Sequence, residues 1–130
     1  MSRVDEYLER ARTALDDLRA QIDELRVQAD LGSTDAKERL HQGIEALRQL
    51  QHDALQRVDE AQGTTSDAWK SIAEQAEKAI EAAGDAFDRL VNDWEATAGA
   101  ATSAARAGFD TFRSEWSRRR AEREQLLDDA

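Results

Sequence analysis

The chain has no cysteine and no proline. Without cysteine there is no disulfide framework, no thiolate metal site and no cysteine nucleophile; the redox compartment stays open. Aromatic residues are scarce, at 5% of the chain, and strand formers are scarce with them, which argues against a β-sheet. No apolar run approaches the ~20 residues that cross a bilayer. Glycines stand singly, so there is no Gly-rich phosphate loop. Cations are the minority charge: 18 Lys and Arg face 28 Asp and Glu, for a net charge of −10. That balance argues against nucleic acid as the main partner, because phosphate binding needs a net cationic face. It also disfavours anionic membrane surfaces.

What is present points to helices. Ala, Leu, Glu, Gln and Arg dominate, and 35% of residues are charged. At 130 residues the chain is long enough for one domain with its own core. Apolar residues recur regularly, which argues against disorder. Val4, Leu8, Ala11, Leu15, Leu18, Ile22, Leu25 and Ala29 follow alternating steps of four and three, an a/d seam. A second stripe runs through Ala36, Leu40, Ile44, Leu47, Gln51, Ala54, Val58 and Ala61, flanked by Leu50 and Leu55. Gln51 interrupts it, and fits a register-setting or half-exposed position.

Punctuation separates the stripes. Gly32 is followed by Ser33, Thr34 and Asp35, and Gly63 by Thr64, Thr65, Ser66 and Asp67. Each is a helix stop followed by N-cap candidates. A weaker version stands at Gly99, ahead of Thr102 and Ser103. The predicted helices are therefore 3–31, 35–62, 66–98 and 102–127, in a single all-α domain over 1–130. Short links make successive helices antiparallel, so the expected fold is an antiparallel four-helix bundle. The alternative is a helical hairpin plus one long third helix forming a coiled-coil oligomer. The stripe can also be drawn straight through Trp94, Ala98, Ala101, Ala105 and Phe109, so the Ala96–Gly108 link decides between the two.

The aromatic residues mark the second half. Ala82, Ala83, Phe87, Asp88 and Trp94 return 22 residues later as Ala104, Ala105, Phe109, Asp110 and Trp116. Twenty-two residues is close to six helical turns. The candidate interaction or core stripe is Trp69, Phe87, Leu90, Trp94, Phe109, Phe112 and Trp116. Tandem amphipathic repeats of this length are also similar to those of exchangeable apolipoproteins, which gives a second reading as a lipid- or granule-surface coat. The polar face is acidic and no proline separates the repeats, so bundle core is preferred.

Val27-Gln28-Ala29-Asp30-Leu31-Gly32, Asp35-Ala36-Lys37-Glu38-Arg39-Leu40 and Ser66-Asp67-Ala68-Trp69-Lys70 together carry a resemblance. Over about residues 20–95 the sequence resembles a loose group of small bacterial coiled-coil proteins. In these a charged hairpin precedes an Ala-rich third helix that opens on Asp-Ala-Trp. The resemblance implies a helical-bundle fold without known catalysis, and a link to stress responses in some members. It carries over no functional residue, and Thr97–Ala130 extends beyond it.

No reactive constellation emerges. Glu38 and His41 form a Glu-x-x-His, half of a di-iron bundle motif, but no second copy exists, and His52 follows Gln49 at that offset. His41 is expected to face solvent. Arg118, Arg119, Arg120 and Arg123 resemble a basic patch, yet Glu115–Arg119, Arg118–Glu122 and Arg120–Glu124 stand at i,i+4 and neutralise it. Arg119 and Arg123 continue the stripe after Trp116, so the seam is expected to fray or snorkel there. Ser and Thr cluster at helix starts as caps. The expectations are a non-enzyme without cofactor or metal, working through a protein partner or self-association. Residues Met1–Glu6 are charged at once, so no secretory signal is expected and the cytoplasm is the default compartment.

Overall fold

The computed structural model describes residues 3–64, 68–97 and 103–129. They form four α-helices: α1 (Arg3–Asp30), α2 (Thr34–Gln62), α3 (Trp69–Thr97) and α4 (Ser103–Asp129). Ser33 starts α2 from an extended backbone, and its hydroxyl accepts a hydrogen bond from the Ala36 N–H at 3.4 Å. Gly63 ends α2 in a right-handed conformation, φ −81° and ψ −3°. Thr64 reinforces that end, its hydroxyl donating to the Glu60 carbonyl at 2.8 Å. The caps expected at Ser66, Asp67 and Thr102 lie outside the described residues.

The helices pack as a closed antiparallel four-helix bundle. α1 touches α2, α3 and α4; α3 touches α2 and α4; α2 and α4 occupy opposite corners. Every residue of the second stripe is buried, Gln51 included. Gln51 sits inside the core, and its Nε2 donates to the Leu15 carbonyl at 3.2 Å. In α1 the seam is wider than the sequence shows, because Tyr7 and Ala14 are buried beside it.

The alternative of one long third helix is overturned. The rings of Trp94 and Phe109 meet edge to face with centroids 5.3 Å apart. On a straight helix their 15-residue separation would be about 22 Å of axial rise. Phe87 also meets both Phe109 and Phe112, at 5.8 and 5.3 Å. The chain therefore turns back between α3 and α4, although residues 98–102 lie outside the described set.

Glycine has a second use here besides punctuation. A Cβ on Gly43 of α2 would run into Leu90 of α3, and one on Gly84 of α3 would stand 2.5 Å from the Trp116 Nε1 of α4. Both are close-approach positions inside helices.

Candidate functional site

The aromatic stripe divides by depth. Trp69, Phe87, Trp94 and Phe109 are buried. Leu90, Phe112 and Trp116 are partly buried and packed against the core. Val91, absent from the stripe read in sequence, faces the centre instead of Leu90, which turns onto Gly43. The reason is rotational: α3 packs α1 and α2 as well as α4, so its buried face is broader than one a/d line.

The place where chemistry-bearing groups converge was not legible as a site. Tyr7 of α1, Glu77 of α3 and Arg123 of α4 meet in the interior. Arg123 is 0% exposed and Glu77 5%. The Arg123 Nε and Nη2 donate to the two Glu77 oxygens at 2.9 and 3.2 Å, a bidentate charge-assisted pair. The Tyr7 hydroxyl lies 3.0 Å from Glu77 Oε1 and 3.2 Å from the Ala73 carbonyl, and shares its one proton between them. Burial, and then the charge of Glu77, push the Tyr7 phenol far above its ordinary value. It is a permanent donor. On its far side Tyr7 meets Trp69 edge to face at 6.0 Å, and the Arg123 guanidinium lies 5.5 Å from the Trp116 ring centroid.

Arg123 therefore does not snorkel. It comes one heptad after Trp116, and α4 turns that face inward, so its whole side chain enters the core and needs a counter-ion. On the Trp116 side of Arg123, a pocket rimmed by Asp17, Glu115 and Arg119 has a volume of about 10 Å³, room for one water and no organic substrate. Chemically, the arrangement is a polar clamp across three helices.

The clamp matters most for α4, which buries only Phe109, Arg123 and Leu127. Ion pairs fasten the rest of its length. Arg10–Glu122 closes at 2.7 Å, Asp17–Arg119 at 2.8 Å, Glu81–Arg120 at 3.1 Å and Asp88–Arg113 at 3.4 Å. The intrahelical pairs Glu115–Arg119, Arg118–Glu122 and Arg120–Glu124 are also formed, at 3.8, 3.5 and 3.2 Å. The arginine run is thus largely spent within the molecule. Each exposed pair contributes at most about 1 kcal/mol.

His41 is half-buried, and at the turn of the first hairpin its ring ties α2 to the last residue of α1. Its Nε2 lies 2.6 Å from Asp30 Oδ1, with Lys37 Nζ at 3.8 Å on the same oxygen. The His41 hydrogen bond holds the Asp30 carboxyl below its ordinary value. Among the described residues no group of three His, Asp or Glu is placed to hold a metal ion. No described helix is long and apolar enough to cross a membrane.

No protein-family model matches the chain, no curated protein matches it, and no solved structure matches it.

Proposed function

We propose that the chain is a non-enzymatic helical interaction or scaffold module that holds a partner through helix–helix contacts. One observation carries this reading. The ionisable groups that meet in the interior, Tyr7, Glu77 and Arg123, are buried and bonded to one another. That leaves the outer faces of the helices as the surface on which the protein acts. A buried polar clamp serves such a module by fixing the register of a helix that little apolar burial holds. A stress-associated structural role in the cytoplasm accords with this reading, supported by the sequence resemblance over residues 20–95.

The test is photo-crosslinking in native cells from one exposed alanine on each helix: Ala20, Ala46, Ala82 and Ala121. A discrete heavier adduct containing another polypeptide is expected from at least one position. Adducts from none of the four overturn the interaction reading.

A further inference from the structure

The outer face between α2 and α3, away from α4, carries a cleft of about 550 Å³. Its apolar lining is Leu50 of α2 with Ala79 and Ala82 of α3, and its charged residues are Asp53, Arg57 and Lys78. Leu50 and Ala79 are half-buried, and Ala82 is exposed. Short side chains make this a shallow trough that a helix can approach closely.

The charges set this cleft apart from the other large one. A cleft of similar size, about 580 Å³, lies between α1 and α4, but its arginines are already taken. Arg10 pairs with Glu122 and Glu6, Arg118 with Glu122, and Arg119 with Asp17 and Glu115. By contrast, Arg57 and Lys78 are exposed and form no ion pair among the described residues. Eleven residues is three helical turns, so Arg89 lies on the Lys78 face of α3 and Arg39 on the Leu50 face of α2. These two are likewise exposed and without an ion pair among the described residues. Arg57 and Lys78 thus outnumber Asp53 in the cleft, and Arg39 and Arg89 continue this unpaired positive charge along the two-helix face, with the exposed Glu74 one turn before Lys78.

We propose that the α2–α3 cleft is a docking groove for an acidic amphipathic helix of a partner chain. Small apolar side chains of that helix seat on Leu50, Ala79 and Ala82, while flanking carboxylates meet Arg57 and Lys78. A second copy seated through the same face would bring the same excess of Arg57 and Lys78 over Asp53, so the occupant is a different, acidic helix. This inference rests on the interaction reading above and names its surface and partner chemistry.

The probe is a lactam-stapled, fluorescein-labelled helical peptide with an Ala/Leu face flanked by Glu; the control carries Lys in place of each Glu. Anisotropy titration with the intact protein is expected to show binding of the Glu peptide, weakening as salt rises, and none of the Lys peptide. The double variant Arg57→Glu/Lys78→Glu changes only exposed side chains, and circular dichroism verifies its fold. It should bind the Glu peptide at least about tenfold more weakly, since two rim attractions become repulsions, and should gain binding of the Lys peptide. Equal binding of both peptides to the wild type, or unchanged affinity in the double variant, overturns the groove. So does preferential binding of phosphatidylglycerol vesicles that charge reversal abolishes. Crosslinks from Ala20 or Ala121 without peptide binding leave the interaction reading standing and sink only this assignment.

Discussion

Arg123 of α4 grips both oxygens of Glu77 of α3, at 2.9 and 3.2 Å, with both residues buried. The pair replaces apolar packing at the point where α4 crosses α3, and Tyr7 ties it to α1. Desolvation offsets much of its attraction, so its contribution is specificity of register more than net stability. Glu77→Ala, which leaves the Arg123 charge buried alone, should cost about 3–5 kcal/mol in urea denaturation. The joint change Tyr7→Phe, Glu77→Leu, Arg123→Met should fall within about 1 kcal/mol of wild type or exceed it. A single variant as stable as wild type contradicts the clamp.

Trp94 and Trp116 hold repeat-related positions but differ in depth, the first 1% exposed and the second only partly buried. Trp94→Ala should cost about 3–5 kcal/mol, and Trp116→Ala clearly less. Tryptophan emission should be blue-shifted in buffer and unmoved by added lipid vesicles. A Trp94→Ala effect within about 0.5 kcal/mol of wild type would remove it from the core.

Three helical glycines should respond with different signs. At Gly108 an added Cβ meets nothing within 4 Å, so Gly108→Ala should stabilise by about 0.5–1 kcal/mol. At Gly84 it meets the rigid Trp116 indole, and Gly84→Ala should destabilise by about 1–3 kcal/mol. At Gly43 the obstacle is the flexible end of Leu90, and the result should lie between these. Thermal melts of the three variants give the order.

Two aspartates should titrate on opposite sides of their ordinary value of 3.8. Asp30 is lowered by the His41 hydrogen bond, so its stabilisation is present above 3.8 and is lost as pH falls through its folded midpoint. Asp88 is raised by burial, which outweighs the nearby Arg113, so its contribution is greatest below 3.8 and is lost as pH rises through its folded midpoint. Carboxyl-carbon NMR titration should place Asp30 below Asp88, and the reverse order contradicts both assignments.

The fold was legible because heptad spacing needs only residue type and interval. The stripe Ala36 to Ala61 is the buried face of α2 without exception. The site was illegible because its members break that pattern. Tyr7 adjoins Leu8 on the seam, Glu77 adjoins Ala76, and Arg123 passes for part of a solvated basic run. The available signal was Arg123 standing seven residues after Trp116 and four before Leu127, a charge inside an apolar stripe that demands a partner. Gly43 and Gly84 were hidden for a different reason: what each faces belongs to another helix, and periodicity within one helix does not report it.

The closed bundle requires α4 to fold back along α3, and one distance tests it. The chain lacks cysteine, so spin labels can be placed at Lys70→Cys and Asp128→Cys without first removing any native cysteine. Both exposed positions lie toward one end of the bundle, beyond the Glu77–Arg123 pair, where Arg3 meets Asp129. The closed bundle predicts a narrow separation of about 10–20 Å, set by adjacent helix axes and label length. A continuous third helix would separate the labels by about 87 Å, and a population beyond about 60 Å would contradict the account.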